Sequence, residues 1–393
     1  MKSGHKSKSR VLRRLLGQVA LFAVAVPGVA VAQDDSDVAT VTLGYIGDFW
    51  TVLDGAEDNG LVYLENADAA IELNLEQVMG WDGSTLFVRG LYNNSNSISQ
   101  IAGDAQVISN IETGVNAIRL YEAWVEQRIG DRVSVKLGLY DLNSEFDVLD
   151  SAGLFINSAH GIGSVIGLSG ENGPSIFPVT SLAARISFEP ADGWAIRGAV
   201  LDGVPGDPDN PDSTVIELED GDGALIVAEV EAPLPRGKVL LGYWRYTAQF
   251  ETFDGLTGTG NDGWYVRAES QLYRDPANAG RVLTGFGRLG WGDGRYNAFH
   301  RFAGAGLTLS SPFVGRPEDE FGVAIAAAFP SDDFESVTEN NSTEVNVELT
   351  YSAQVTDWLR IQPDIQWIFN PSADPAADDV VAAGLRFELG WEF

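Results

Sequence analysis

The chain has 393 residues, of which 56 are Asp or Glu, 25 are Lys or Arg and none is Cys. Such an acidic excess argues against nucleic acid as a partner, because binding to phosphates requires a basic surface. Without cysteine, disulfide bonds cannot contribute to stability.

The first 32 residues have the three parts of a secretory signal. Basic residues lie between Lys2 and Arg14, an uncharged apolar run follows, and Ala-Val-Ala comes directly before Gln33. The apolar run has about 14 residues, fewer than the roughly 20 that a bilayer-spanning helix needs, so we expect cleavage after Ala32 rather than an anchor. Six of the 25 basic residues lie in this segment, which leaves 19 basic and 56 acidic residues and a net charge near −37.

Residues 33–393 contain no uncharged apolar segment long enough to cross a membrane as a helix. A closed barrel of strands is the other structure that crosses lipid with its backbone groups hydrogen-bonded. The chain is therefore either a soluble exported protein or a barrel of the outer membrane.

Apolar and polar side chains alternate with a period of two, which indicates strands. The alternation is clearest in residues 71–76, 344–351, 361–369 and 381–393. Runs bounded by Gly, Pro, Asn or Asp give about sixteen strands of the length that a tilted membrane strand requires. They are predicted to begin near residues 40, 61, 84, 117, 132, 180, 193, 223, 237, 263, 281, 299, 320, 343, 358 and 380.

The connections between these strands alternate in length. If the first strand runs outward, short turns are expected near residues 130–131, 191–192, 232–236 and 354–357, and long loops near 94–116, 142–179, 203–222 and 330–342. The connections near 292–298 and 311–319 do not follow this rule. The sequence predicts an all-β fold, a 16-stranded antiparallel transmembrane β-barrel with long extracellular loops and short periplasmic turns.

A soluble sandwich or solenoid would also show period-two strands, with the polar face in bulk water. The absence of an internal repeat of fixed period disfavours a solenoid. Aromatic side chains near strand ends favour the membrane barrel, because its interfacial girdles lie there. These aromatic residues are Tyr45, Phe49, Trp264, Trp291, Trp358, Trp391 and Phe393.

Six segments carry a family resemblance: RLYEAWVEQRIGDRVSVKLGLYDLNSEFDV (119–148), LFINSAHGIG (154–163), NGPSIFPVTSLAARI (172–186), GAVLDGVPGDP (198–208), GAGLTLSSPFVGRPEDEFGVAIA (304–326) and IQPDIQWIFNPSAD (361–374). In the same order, they resemble the carbohydrate-selective porin family of the OprB type. The resemblance implies a sixteen-stranded outer-membrane barrel through which small sugars diffuse passively. The acidic composition departs from the basic eyelet expected of a sugar-preferring channel, so the resemblance leaves the solute preference open.

A sixteen-stranded barrel encloses an aqueous lumen, which must be narrowed if it is to discriminate between solutes. The longest connection, residues 142–179, is the candidate constriction loop because its apolar side chains Phe146, Phe155 and Ile156 could pin it to the inner wall. The alternative is an outer lid packed on neighbouring loops. Glu145 and Asp147 of this loop are the predicted carboxylates of the constriction.

Strand parity predicts which side chains face the lumen, where charged, amide and aromatic groups would bind sugar hydroxyls and ring faces. Many of these groups could instead pair across strands and hold the wall together. The predicted pore-lining residues are Glu122, Trp124, Glu126, Lys136, Tyr140, Arg185, Arg197, Tyr243, Arg245, Tyr265, Arg267, Glu269, Arg288, Arg386 and Glu388.

Arg185 and Arg197 fall on adjacent predicted strands and face the same side. Like charges so placed cost energy unless carboxylates approach them, so we expect Glu145 or Asp147 to lie nearby. Such an arrangement would form an eyelet with a transverse field.

No cofactor and no metal ion are predicted. The acidic loop sequence DPDNPD (207–212) lacks the spaced glycine and terminal glutamate of a calcium-binding loop. The expected partners are small sugars and outer-membrane lipids, and the barrel is expected to be a monomer or a homotrimer.

Three other functions remain open on the sequence alone. The first is a general, cation-preferring diffusion porin. The second is an outer-membrane hydrolase, for which Ser158, His160 and His300 are the available residues. The third is a purely structural barrel. The sequence favours a sugar porin and no enzymatic activity.

Overall fold

The structure is a computed structural model that describes residues 38–56 and 59–393. The predicted signal segment, residues 1–32, lies outside the described residues. Sixteen strands form one closed antiparallel barrel. None of the helices in the described ranges is long and apolar enough to span a membrane. The predicted fold is confirmed.

The barrel strands begin within two residues of the predicted positions. We number them β1 to β16 in chain order: Ala39–Asp54, Val62–Asn74, Ser84–Asn93, Ala117–Ile129, Val133–Tyr140, Ser181–Phe188, Ala195–Asp202, Ala224–Leu234, Gly237–Tyr246, Asp262–Arg274, Val282–Gly292, Phe299–Ser310, Glu320–Pro330, Glu344–Thr356, Leu359–Phe369 and Val380–Glu392. A short hairpin that the alternation did not predict, Gln249–Glu251 with Thr257–Thr259, lies in the loop between β9 and β10.

Within residues 38–56 and 59–393, the helical segments are all short and lie in the connections. The α-helices are Leu75–Met79, Ser99–Ala102, Ser158–Gly161, Ser164–Gly167 and Asp332–Val337, and the 3₁₀ turns are Leu142–Ser144, Asp150–Ala152 and Pro371–Ala373. The first of these helices, between β2 and β3, is capped by the side chain of Asn74, which accepts hydrogen bonds from two backbone N–H groups.

Each strand pairs with its neighbours in the chain, and β1 pairs with β16 to close the ring. In this closing pair Trp50 lies opposite Gly384. A Cβ atom at position 384 would lie 2.6 Å from the indole of Trp50, so the closure requires glycine there.

Connection lengths follow the predicted parity. Most turns after even-numbered strands are short, and two of them, 235–236 and 357–358, have only two residues. The connection 75–83, which contains a short helix, is longer, with nine residues. The long loops 94–116, 141–180 and 203–223 all follow odd-numbered strands, which places them outside if the short turns are periplasmic. The two exceptions seen in the sequence, near 293–298 and 311–319, are also present in the structure.

The outer face of the barrel is apolar, and aromatic pairs mark its two ends. Trp264 and Trp291 stack at the extracellular end with ring centroids 4.1 Å apart, and Trp358 and Trp391 stack at the periplasmic end at 6.4 Å. These positions match the two interfacial girdles of a membrane barrel. Tyr45, by contrast, lies well inside β1 rather than near its end.

The hydrophobic core lies inside the barrel, where loops 94–116 and 141–180 pack against the wall. Phe146 and Phe155 are 0% and 2% exposed. Both rings pack against inner-wall side chains, Phe146 in one cluster with Tyr265 and Phe155 in another with Phe286. The loop is therefore folded inward rather than packed as an outer lid, and burying each such side chain contributes roughly 1.5–3 kcal/mol.

Candidate permeation pathway

All but two of the predicted pore-lining side chains lie on the inner face of the wall, where they contact one another or the inward-folded loops. The residues on this face are Glu122, Trp124, Glu126, Lys136, Tyr140, Arg185, Arg197, Tyr265, Arg267, Glu269, Arg288, Arg386 and Glu388.

The predictions for Arg245 and Tyr243 were wrong, because both lie on the outer face. Arg245 pairs across the strands with Ile226, which is 41% exposed, and Tyr243 is 42% exposed. Trp244 and Tyr246 occupy the inner face of β9 instead and are buried against the loop. Because large side chains lie on both faces of this strand, the sequence does not show which face is turned to the lumen. Arg245 is also close to the extracellular end, where its guanidinium can reach the headgroup region.

The constriction loop is held to the wall through Asp147, which is fully buried. Its carboxylate accepts a hydrogen bond of 2.7 Å from Nη2 of Arg267 and lies 3.3 Å from Nη2 of Arg288. Oδ2 also accepts a 2.9 Å hydrogen bond from the backbone N–H of Gly163, on the far side of the same loop. Burial alone would raise the pKa of Asp147, but attraction from Arg267 and Arg288 outweighs burial and lowers it. We call these three side chains the buried clamp.

Carboxylates of the inner wall accept hydrogen bonds from backbone N–H groups of both inward loops. This pattern satisfies loop donors that would otherwise be buried without partners. The pairs are Glu229 with Asp147 (2.9 Å), Glu269 with Ser151 (2.9 Å), Glu348 with Ile156 (2.6 Å) and Asn157 (3.0 Å), and Glu344 with Ala105 (2.8 Å) and Gln106 (2.9 Å).

Glu145 lies between two basic side chains of the wall. Its Oε1 is 2.7 Å from Nζ of Lys136, and its Oε2 is 2.7 Å from Nε of Arg185. Arg185 also binds Glu126, at 2.8 Å. Burial opposes ionisation of Glu145, but Lys136 and Arg185 outweigh it and lower its pKa. Glu145 therefore remains ionised at neutral pH.

The two arginines that the sequence placed side by side have different partners. Arg185 meets Glu145, whereas Arg197 lies 3.2 Å from Glu229 and 3.1 Å from Glu231 of β8. Asp147, the other candidate partner, binds Arg267 and Arg288 instead. Like charges on adjacent strands are thus separated by carboxylates.

Ion pairs continue around the wall from β4 to β10. Lys238 on β9 lies 3.2 Å from Asp150 of the loop and 3.4 Å from Glu269 on β10. We call the whole set the charged belt. Its members are Glu126, Lys136, Glu145, Asp150, Arg185, Arg197, Glu229, Glu231, Lys238 and Glu269.

An aromatic surface lies beside the charged belt. The rings of Trp124 and Phe87 stack with centroids 5.0 Å apart, and Nζ of Lys136 lies 4.0 Å from the centroid of Trp124. Both rings are partly exposed. Sequence reasoning missed Phe87. Its position on the inner face of β3, opposite Trp124 in register, could be found only once the strands were aligned.

Sequence reasoning also missed Asp150, Glu229, Glu231 and Lys238 of the belt. Glu229 and Glu231 are separated by one residue in an alternating strand, which is a signal that could have been used. Asp150 is in an irregular segment and carried no periodic signal.

Ser158 and His160 are fully buried, so a substrate cannot reach them. His160 packs on Phe155 and Phe286, and burial lowers its pKa to about 3. Its Nε2 is 3.8 Å from the carboxylate of Glu348. Across residues 38–56 and 59–393, no cluster of metal-ligating side chains is present.

A sixteen-stranded barrel with apolar outer girdles, a charged inner wall and a long loop folded into the lumen is a porin. The family model described as "Carbohydrate-selective porin, OprB family" matches residues 58–391. The chain belongs to this family. It is an outer-membrane channel for the diffusion of sugars, and the family contains channels rather than enzymes.

The chain is 25% identical to Porin B of Pseudomonas aeruginosa, with 88% of this chain and 86% of that protein covered. It is 23% identical to the putative porin QuiX of Acinetobacter baylyi, with 87% and 86% covered. In fold it matches the high-pH structure of Pseudomonas putida OprB with a TM-score of 0.78 and 21% identity, over 90% of this chain and 94% of that one.

Proposed function

We propose that the constriction loop and the charged belt form the narrowest part of the sugar pathway. The observation that carries this proposal is Glu145, a loop carboxylate held between Lys136 and Arg185 of the wall and still 20% exposed. A group in this position is fixed in place and faces the water path.

The chemistry of the belt suits sugars. Ion-paired carboxylates and basic groups hydrogen-bond to hydroxyls in both directions, and the partly exposed ring of Trp124 offers a flat surface for the apolar face of a sugar ring. Several such groups follow one another along the wall. A solute can therefore bind weakly to one group, be released and move to the next. Passage is then passive and needs no conformational change of the loop.

The chain has no cysteine, so a single introduced thiol can be labelled selectively. Ser144 of the constriction loop is exposed beside Glu145. We expect Ser144→Cys, labelled with a charged or bulky thiol reagent, to lose most of its single-channel conductance and its uptake of monosaccharides. Ser213→Cys, on the exposed outer loop 203–223, is the matched control and should be labelled with little effect.

If the loop did not narrow the pathway, labelled Ser144→Cys and labelled Ser213→Cys would conduct alike. A barrel that takes up sugars at rates independent of their size, before and after labelling, would instead be a general diffusion porin.

The oligomeric state stays a prediction, either monomer or homotrimer, and contact with outer-membrane lipids is expected from the apolar outer face. Chemical cross-linking in native membranes distinguishes the two states by the size of the largest product.

A further inference from the structure

The charged belt does not present its two signs of charge equally to water. It contains six acidic and four basic side chains, and each of the four basic side chains lies within 4.0 Å of two carboxylates. No basic group of the belt is therefore left with an unneutralised charge. The surplus is two carboxylates.

The carboxylates also lie closer to the water than the bases do where the loop meets the wall. Glu126 and Glu145 are 24% and 20% exposed, whereas Lys136 and Arg185 are 8% and 4% exposed. Asp150, at 82%, is the most exposed member of the belt, and its partner Lys238 is 21% exposed. At Glu126, Glu145 and Asp150 a solute in the pathway meets the acidic groups first. At Arg197, which is 21% exposed beside Glu229 at 0% and Glu231 at 19%, the basic group is as exposed as the acidic ones.

Three arginines of the inner wall are withdrawn from the pathway. Arg267 and Arg288 belong to the buried clamp, and both are 1% exposed. Arg386 is 4% exposed and binds Asp48 of β1 at 2.8 Å and Asn110 of loop 94–116 at 2.7 Å. Their charges hold the loops in place and are not available to a passing anion.

We propose that this channel favours neutral and cationic sugars, such as amino sugars, and disfavours anionic ones, such as uronic acids and sugar phosphates. The inference rests on the proposed function, since it assigns a charge preference to the same pathway. An anionic sugar meets exposed carboxylates and finds the basic groups occupied, while an ammonium group is attracted. Because the Debye length is about 8 Å at physiological salt, the preference strengthens as salt is lowered.

The test uses proteoliposomes of the full mature protein with glucose, glucosamine and glucuronate, together with the reversal potential in a KCl gradient. We expect glucosamine and glucose to enter faster than glucuronate and the reversal potential to indicate cation preference. Glucuronate uptake as fast as glucose uptake, or an anion-selective potential, would overturn the inference. Failure of all three sugars to enter would instead overturn the proposed sugar pathway.

Two single variants distinguish the effect of the charged belt on ion selectivity from the effect of the general surface charge. Glu126→Gln and Asp150→Asn should each lower the cation-to-anion permeability ratio by about tenfold at low salt. One unit charge at about 6 Å in a water-like dielectric changes the cation and anion terms by about threefold each, in opposite directions. Glu318→Gln, in an exposed turn away from the belt, is the control and should leave the ratio unchanged.

Heat-modifiable gel migration and circular dichroism show whether each variant forms the barrel. Asp150 is largely exposed, so Asp150→Asn keeps the test valid even if Glu126→Gln folds poorly. If folded Asp150→Asn has the same permeability ratio as the native protein and the Glu318→Gln control, the belt does not set the charge preference.

Discussion

The buried clamp and the Glu145 site are built in the same way but differ in their contact with water. In each, a loop carboxylate lies between two basic side chains of the wall: Asp147 between Arg267 and Arg288, and Glu145 between Lys136 and Arg185. Asp147 is fully buried, whereas Glu145 is 20% exposed. The same arrangement therefore anchors the loop in one place and can meet solutes in the other.

The largest expected effect comes from breaking the buried clamp. Asp147→Ala leaves two buried guanidinium groups without their shared carboxylate, and removing one partner of a buried ion pair costs about 3–5 kcal/mol. Urea unfolding in detergent micelles measures this loss. Asp147→Asn has nearly the same volume and should be almost as destabilised, because the charge rather than the packing is lost. Equal stability of native protein and Asp147→Asn would contradict the anchoring role.

The second effect is a pH dependence from His160, which lies in the anchored part of the loop. Its pKa is lowered to about 3, below the ordinary value of 6.5, so the unfolded chain takes up the proton first. The stability from this group is complete above pH 6.5 and is lost as the pH falls towards 3. We expect a loss of about 2 kcal/mol between pH 7 and pH 5.

Unfolding of native protein and His160→Phe at pH 7 and pH 5 tests this expectation. The variant should lose less stability on acidification, because phenylalanine fills the pocket beside Phe155 and Phe286 without taking up a proton. Identical pH profiles of the two proteins would show that His160 is not the responsible group.

A smaller change in stability is expected at the Glu145 site. Glu145→Gln should destabilise the fold by about 1 kcal/mol, as for a partly exposed ion pair, while it shifts the ion selectivity towards anions. Asp147→Asn should show the reverse balance of effects: a large loss of stability and only a small change in ion selectivity. If both variants behaved alike in both measurements, the distinction between anchor and pathway would be lost.

The smallest effect is expected at the aromatic surface. Trp124→Leu removes a stacking surface worth about 0.5 kcal/mol, which corresponds to about a twofold decrease in sugar uptake. The KCl conductance should not fall, because stacking does not act on small ions. Phe87→Leu, which changes the neighbouring ring, is the comparison variant. A loss of conductance equal to the loss of sugar uptake would indicate altered pore size.

The sequence predicted the wall better than the contents of the lumen, for a physical reason. Strand starts and facing follow from a local period of two, so Arg185 and Arg197 could be placed on one face. The clamp joins Asp147 to Arg267 and Arg288, more than a hundred residues away, and no local pattern encodes such a contact. Where both faces of a strand carry large side chains, as in β9, the period of two does not show which face points to the lumen. The predicted inward position of Arg245 was wrong for this reason.

The pairing of β1 with β16 also has a kinetic consequence. Until β16 is in place, β1 has one native neighbour, β2, and its other edge has no native partner. An exposed strand edge is prone to pair with other chains. A chain whose ring has not yet closed therefore depends on being shielded from aggregation.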